Sequence, residues 1–195
     1  IRPYGKNLLP HFLNNKVSIL FGELLLFFNF TARLLSVTSP VRIFIPEYRG
    51  DFTGIIMHTE SIFIESTKKT PRIHLERGKI LITGRSIPEN PSDFYEPLYR
   101  WVAKYVCECN SNTDVILGFE FINTMSIKWV FTILRELGKT IDLPCYLRIF
   151  WYYEKGDEDM CDLGHIIRTL VRCPFRVIEV PDIEKHNFSF EKLPL

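Results

Sequence analysis

The stretch GFEFINTMSIKW, residues 118–129, joins a predicted buried strand to a predicted helix. The chain before Asn123 is almost continuously apolar, as expected for a strand covered on both faces of a sheet. After it, apolar residues recur at helical spacing up to Gly138, a residue type that commonly ends helices. The apolar positions are Val115, Ile116, Leu117, Phe119, Phe121 and Ile122 in the strand, and Ile127, Val130, Phe131, Leu134 and Leu137 in the helix. This strand and helix are predicted to form the centre of the fold.

The polar residues at this junction have two interpretations. Asn, Thr and Ser often cap helices, because their side-chain oxygens accept hydrogen bonds from the first free backbone N–H groups. On this interpretation Thr124 or Ser126 has only a structural role. The start of a helix also favours a phosphate group, because the free N–H groups and the helix macrodipole attract negative charge. The local pattern leaves both interpretations open.

The chain on either side of this junction predicts alternating strands and helices. Alternating apolar residues on both sides of Arg77-Gly78 indicate a β-hairpin. Helical periodicity recurs within residues 94–106 and 160–171, and residues 146–153 and 175–180 have the aromatic and branched composition of strands. The order β-β-α-β-α-β-α-β predicts an α/β fold, with helices packed on a mixed, mostly parallel sheet that begins with the hairpin.

The predicted domain runs from residue 57 to residue 182. Residues 1–56 are expected to be an N-terminal extension that is disordered, loosely packed or not native protein, and residues 183–195 a frayed C-terminal tail. Within the extension, residues 17–37 are apolar and long enough to span a membrane. Glu23, Asn29 and Arg33 interrupt this stretch, and central charges make insertion costly. A membrane role is therefore not favoured.

Charge and cysteine content exclude several classes of protein. Lys and Arg total 24 against 23 acidic residues, so the chain lacks the positive charge of an electrostatic nucleic-acid binder. The five cysteines are odd in number and scattered, which is typical of reduced thiols in the cytosol. We therefore expect a cytoplasmic protein without a cofactor or a metal.

An enzyme remains the alternative. A small metal-dependent hydrolase would use Glu154, Asp157 and Asp159, because carboxylates are ligands for hard cations and act as general acids and bases. Carboxylates that precede a helix are also explained by the helix macrodipole. The sequence contains no glycine-rich phosphate-binding loop and no G-x-S-x-G nucleophile motif.

Four motifs together resemble the SiaC family of bacterial regulatory phosphoproteins, which act in SiaABCD-type signalling pathways. The resemblance covers residues 64–180, and the motifs occur in the order and at the spacing of the family. They are ESTKKTPRI, the G-x-S-x-PEN-x₃-FYEPLYRW block from Gly84 to Trp101, FINTMSIKW, and WYYEKGDEDM from Trp151 to Met160. The resemblance implies a STAS-like fold and a switch protein without enzymatic activity.

The family's mechanism implies a role for Thr124. In the family a serine/threonine kinase phosphorylates the threonine of an Asn-Thr-Ser-Ser motif, and a PP2C-type phosphatase removes the phosphate. The unphosphorylated form activates a diguanylate cyclase, which raises cyclic di-GMP and favours biofilm growth. Thr124 matches the phosphorylated threonine, whereas Met125 departs from the motif and changes the contacts expected with partners.

The predicted partner-binding residues follow from the resemblance and from the topology, because sites in open α/β sheets form beyond the carboxyl ends of the strands. They are Ser86, Pro88, Glu89, Asn90, Tyr95, Asn123, Ser126, Lys128, Trp151, Tyr152, Tyr153 and Glu154. We expect these residues to border one surface around Thr124.

Overall fold

The helices and strands follow the apolar periodicity of the sequence. The computed structural model describes residues 59–108, 112–139 and 146–193. In chain order the elements are β1 (Ile62–Ile64), β2 (Arg72–Glu76), β3 (Lys79–Ser86), α1 (Pro91–Glu108), β4 (Thr113–Ile122), α2 (Thr124–Leu137), β5 (Leu147–Glu154), α3 (Glu158–Leu170) and β6 (Phe175–Val180). A short 3-10 helix, Phe190–Lys192, follows them. The predicted order is confirmed, with β1 as an additional strand that is too short for its pattern to be recognised.

The six strands form one mixed sheet in the order β1-β2-β3-β4-β5-β6. The pairs β1–β2 and β2–β3 are antiparallel, and the pairs β3–β4, β4–β5 and β5–β6 are parallel. Gly78 turns the β2–β3 hairpin with a φ of 80°, a conformation that favours glycine. The predicted fold class, a mostly parallel sheet with an N-terminal hairpin, is confirmed.

One face of the sheet carries the helices. The parallel strands follow each other in the sheet in chain order, so right-handed crossovers place α1, α2 and α3 on the same side. The fully buried Trp151 of β5 belongs to this face, where its ring contacts Phe119 and its Nε1 donates to the carbonyl oxygen of Met160 at 3.0 Å. A Cβ at Gly164 of α3 would lie 2.5 Å from the Trp151 ring. Glycine is therefore needed for α3 to approach the sheet this closely.

The opposite face is covered by the segment that follows β6. The buried residues of this face are Leu81, Ile116, Phe150, Tyr152, Val180 and Ile183, and Ile178, Phe188, Phe190 and Leu193 pack against them. A Cβ at Gly118 would lie 2.7 Å from the Phe188 ring. The prediction of a frayed tail is therefore wrong for residues 183–193, because a sheet with helices on one face leaves an apolar surface that the C-terminal segment buries.

The predictions for the N-terminal extension lie outside the described residues. The extension at residues 1–56, its apolar stretch at 17–37 and the proposed domain start at Met57 therefore stay predictions. Among residues 59–108, 112–139 and 146–193, no helix combines the length and the hydropathy that a membrane span requires.

Candidate functional site

The junction between β4 and α2 is a strand that leads directly into a capped helix. Asn123 is the cap: its backbone is extended (φ −85°, ψ 163°), and its Oδ1 accepts from the Ser126 N–H at 2.8 Å. Thr124 is the first residue of the helix, and its side chain is partly exposed. Ser126 is fully buried. Of the two hydroxyl groups in this first turn, Thr124 presents the accessible one.

The end of β4 is open on one side because β5 stops pairing with β4 earlier than β3 does. The last pair between β4 and β5 is Gly118 with Tyr152, whereas β3 continues to pair with β4 up to Ile122. Phe121 therefore lies beyond the reach of β5, and its side chain is 52% exposed. Met125, on the other side of Thr124 in the chain, is 49% exposed. The sequence predicted a buried Phe121 within its apolar run, and only the strand register reveals its exposure.

Buried polar groups lie behind the first turn of α2. The hydroxyls of Ser86 in β3 and Tyr95 in α1 are 2.6 Å apart, and both residues are fully buried. Burial raises the pKa of Tyr95 to about 12, and the nearby hydroxyls of Ser86 and Ser126 offset part of that rise. The Ser126 hydroxyl thus lies close enough to influence Tyr95. Its geometry is not that of a hydrogen bond, and it is the one buried side-chain polar atom in the described part of the chain that has no such partner.

The loop after β3 lies next to the junction and carries exposed charge. The Ser86 carbonyl oxygen accepts from the Asn123 N–H at 3.1 Å, and the Ile87 N–H donates to the Lys69 carbonyl oxygen at 2.8 Å. Glu89 is highly exposed and pairs with Lys69 at 2.6 Å, and this hydrogen bond lowers the pKa of Glu89.

The remaining predicted residues of this group differ in exposure. Asn90 is exposed and its Oδ1 accepts from the Ser92 N–H at the start of α1, whereas Pro88 is buried. Lys128 is partly exposed and follows Thr124 by one helical turn, which puts both residues on one side of α2. The structure thus brings Ser86, Pro88, Glu89, Asn90, Tyr95, Asn123, Ser126 and Lys128 to the same end of the sheet as Thr124.

The predicted residues of β5 are not all available at that end. Tyr152 is level with Gly118, about 17 Å before Asn123 at the usual rise of a strand. Its ring is buried and contacts His186 and Phe188 of the C-terminal segment. Trp151 is fully buried against α3. Neither side chain is accessible to a partner in this arrangement, because β5 lies between two covered faces.

The last two residues of β5 are partly exposed and contact neighbouring segments. The Tyr153 hydroxyl donates to Glu179 Oε2 of β6 at 3.3 Å. Glu154 Oε2 accepts from the Ile183 N–H at 3.4 Å, at the start of the C-terminal segment. These residues connect β5 to the elements beside it rather than to the β4–α2 junction.

The acidic turn before α3 has a structural role. Gly156 turns the chain with a φ of 88°, and Asp157 caps α3 by accepting from the Met160 N–H at 2.9 Å. Within the residues that the structure describes, no three His, Cys, Asp or Glu side chains are grouped to hold a metal ion. Glu154 and Asp157, which a hydrolase would use as metal ligands, instead accept hydrogen bonds from the backbone N–H groups of Ile183 and Met160.

Comparison with known proteins covers the same region of the chain. A family model described as SiaC family regulatory phosphoprotein matches residues 64–180. An uncharacterized protein of Pseudomonas aeruginosa (strain UCBPP-PA14) is 25% identical over 118 residues, which are 60% of this chain and 94% of that protein.

Solved structures have the same fold. The crystal structure of apo-SiaC from Pseudomonas aeruginosa matches with a TM-score of 0.56 at 24% identity, over 62% of this chain and 99% of that one. The crystal structure of the diguanylate cyclase SiaD in complex with its activator SiaC, also from Pseudomonas aeruginosa, matches with a TM-score of 0.58 at 24% identity. That match covers 61% of this chain and 99% of the other chain.

Proposed function

This chain belongs to the SiaC family of regulatory phosphoproteins, and we propose that it is a non-enzymatic switch controlled by reversible phosphorylation of Thr124. In the unmodified form it binds and activates a partner protein. In the phosphorylated form it releases that partner. The proposal rests on family membership together with the geometry of the β4–α2 junction.

The observation that carries this proposal is the contrast between two hydroxyl groups in one helical turn. Thr124 is partly exposed at the start of α2, whereas Ser126 is fully buried. A kinase must reach the hydroxyl oxygen to transfer a phosphoryl group, so only Thr124 is accessible at this junction without local unfolding. The exposure of Thr124 and the burial of Ser126 support Thr124 as the phosphorylated residue.

The start of α2 is suited to a phosphate. Its first turn contains no acidic residue, so no carboxylate of that turn repels an added anion. Lys128 lies one turn further along the same side and adds positive charge. A phosphothreonine carries about −1.5 to −2 charges at neutral pH, and the helix start stabilises them without refolding.

The same phosphate would oppose a partner that packs over the junction. Phe121 and Met125 flank Thr124 in the chain and are about half exposed, which makes them the apolar contacts we expect a partner to bury. A hydrated dianion between them must lose water when the partner binds, and that desolvation costs free energy. Release therefore follows from local charge and requires no large conformational change.

We infer the class of partner from the relative. A SiaC of Pseudomonas aeruginosa is described as the activator of the diguanylate cyclase SiaD and was solved in complex with it. We propose a diguanylate cyclase as the effector of this chain, and a serine/threonine kinase and a PP2C-type phosphatase as the enzymes that act on Thr124. A cytoplasmic location follows from such partners, and neither nucleic acid nor a cofactor is needed.

Mass spectrometry of the chain purified from its own host tests the modification. Fragmentation across residues 123–128, before and after phosphatase treatment, should place a phosphate on Thr124. An unmodified Thr124 after incubation with host extract and ATP would overturn the proposal.

Binding to the host diguanylate cyclase tests the switch. Thr124→Ala should keep wild-type affinity, and Thr124→Glu should lose at least about tenfold, or about 1.4 kcal/mol. Thr169→Glu, which adds the same charge to an exposed position of α3, is the matched control and should bind like wild type. Equal affinity of the Thr124→Ala and Thr124→Glu variants would count against the switch.

A further inference from the structure

A chain of hydrogen bonds connects α1 to the turn that carries Thr124. The Tyr95 and Ser86 hydroxyls are 2.6 Å apart. The Ser86 carbonyl oxygen accepts from the Asn123 N–H at 3.1 Å, and Asn123 Oδ1 accepts from the Ser126 N–H at 2.8 Å. Three parts of the fold, the end of β3, the beginning of α1 and the β4–α2 junction, thus meet behind one helical turn. We call Ser86, Tyr95, Asn123 and the Ser126 N–H the junction network.

Two features of Tyr95 indicate that this network does more than fill space in the core. Tyr95 is fully buried, and burying a hydroxyl is costly unless it is hydrogen-bonded, so phenylalanine would fill the same space at less cost to an apolar core. The Tyr95 ring also stacks on Trp129 of α2, with ring centroids 6.5 Å apart and an interplanar angle of 10°. Tyr95 is therefore connected to the start of α2 through Ser86, which bonds to Asn123, and it contacts the next turn of α2 directly through its ring.

We propose that Tyr95 and Ser86 are positioning residues, which hold the first turn of α2 so that the Thr124 hydroxyl is presented in one orientation to the kinase. This proposal rests on the proposed function, because it concerns the modification of the same residue. Ser86 acts through both of its polar groups: its hydroxyl meets Tyr95, and its carbonyl oxygen fixes the backbone of the cap residue Asn123. The order of the turn therefore depends on a side chain of α1 that never reaches the surface.

Buried, hydrogen-bonded polar groups specify one arrangement, because any shift of the turn leaves a buried donor or acceptor unpaired. A kinase binds a substrate segment in one conformation. When a turn samples several conformations, its apparent affinity for the kinase falls in proportion to the fraction of time it spends in the conformation that the kinase binds. Loss of the network should therefore lower the efficiency of phosphorylation more than it lowers the maximum rate.

Two variants of the network and two controls separate this role from general stability. Tyr95→Phe and Ser86→Ala each remove one hydroxyl of the network. Tyr105→Phe is the matched control, because it removes a buried, hydrogen-bonded tyrosine hydroxyl from α1 at a position that bonds to Thr113 and not to a residue of the junction. Ile167→Val, in the core beneath α3, is a second control that lowers global stability without touching the junction.

Amide hydrogen exchange of the isolated chain gives the first readout. In Tyr95→Phe and Ser86→Ala, exchange of the Ser126 N–H should accelerate at least about fivefold relative to an α3 amide such as that of Leu163. In Tyr105→Phe and Ile167→Val that ratio should stay at the wild-type value. Unchanged ratios in the first two variants would overturn the network as the element that holds the turn.

Phosphorylation in host extract with Mg·ATP, followed by intact mass at varied concentrations of the chain, gives the second readout. We expect the apparent KM to rise at least about fivefold in Tyr95→Phe, with kcat within about twofold of wild type, and neither control to change either value. Equal KM values in Tyr95→Phe and wild type would overturn the positioning role. A wild-type chain that is not phosphorylated would overturn the proposed function, and the exchange ratios would still decide whether the network holds the turn.

Discussion

The two neighbouring strands β4 and β5 each lead into a helix with the same kind of cap, but the two junctions differ in what surrounds that cap. Asn123 caps α2 and Asp157 caps α3, and each side chain accepts a hydrogen bond from the N–H three residues later. The first turn of α2 has no acidic residue, whereas that of α3 has Glu158 and Asp159. The positive end of α3 is therefore already compensated by carboxylates, and that of α2 is not.

The residues behind the two junctions differ as well. The start of α3 packs on the fully buried Trp151, which Gly164 approaches without a side chain. The start of α2 is supported by the hydroxyls of Ser86 and Tyr95. One junction is therefore built for packing, and the other is held by hydrogen bonds beside an accessible hydroxyl, which is the combination a modifiable turn requires.

A substitution at Gly164 tests the packed junction. Gly164→Ala should lower the free energy of unfolding by about 1–3 kcal/mol, because the added Cβ would lie 2.5 Å from the buried Trp151 ring. Gly138→Ala, in a helical conformation with nothing within 4 Å of the added atom, should be neutral or stabilise by up to about 1 kcal/mol. Urea unfolding of both variants makes the measurement. A Gly164→Ala variant as stable as wild type would show that α3 can move away from the sheet at no cost.

Alkaline unfolding tests the hydrogen-bonded junction. The pKa of Tyr95 in the folded chain is about 12 against an ordinary value of 10, so the unfolded chain releases this proton first as the pH rises. Stability from this group is complete below pH 10 and is lost as the pH approaches 12. Between pH 9 and pH 11 wild type should lose about 1.4 kcal/mol through Tyr95.

The Tyr95→Phe variant removes this titration and should show a smaller loss over the same pH range. Tyr146→Phe, at a side chain that is 66% exposed, is the control and should lose as much as wild type. Urea unfolding at the two pH values measures the difference. Parallel losses in wild type and Tyr95→Phe would mean that the buried hydroxyl does not control stability at high pH.

The strands and helices of the two junctions could be predicted from the sequence better than the contacts around them. Helical and strand periodicity located α2, α3 and the strands before them, because burial of one face sets that periodicity. The cap of α2 is Asn123 and not Thr124 or Ser126, which the pattern had indicated, although all three residue types accept hydrogen bonds from free N–H groups. Exposure of Phe121 and burial of Tyr152 were missed, because each depends on which residues of neighbouring strands are level with one another, and an apolar run does not encode that register. The cover formed by Phe188 was missed for the same reason, since its partner Gly118 is distant in the chain.

Substitution of the two cap residues tests how much the charge of Asp157 adds to the hydrogen bond that Asn123 also makes. Asn123→Ala and Asp157→Ala should each cost about 1 kcal/mol of stability through the lost hydrogen bond. Asp157→Ala should cost about 0.3–1 kcal/mol more at low salt, because it also removes a charge from the start of α3. Asp157→Asn keeps the cap and removes only the charge. In about 1 M salt, where charges are screened within roughly 3 Å, Asp157→Asn should match wild type. A salt-independent loss in Asp157→Asn would assign the effect to hydrogen-bond geometry rather than to charge.

Two substitutions exchange the charge of the two helix starts. Met125→Glu adds a carboxylate to the first turn of α2 at a position that is 49% exposed, and it should stabilise the chain by about 0.3–1 kcal/mol at low salt. Glu158→Gln should lose a similar amount from α3. Thermal unfolding at two salt concentrations measures both changes. A destabilised Met125→Glu variant would mean that the start of α2 is already compensated from outside its own first turn.

The Met125→Glu variant also separates charge from shape in the proposed switch. It places an anion beside Thr124 without the size and hydration of a phosphate, and Met125→Gln has nearly the same shape without the charge. If the Glu variant alone weakens binding to the diguanylate cyclase, the partner responds to negative charge at the start of α2. If the Glu and Gln variants weaken it equally, the loss of an apolar contact is the cause, and a phosphate on Thr124 must then act mainly by displacing Phe121 and Met125 from that contact.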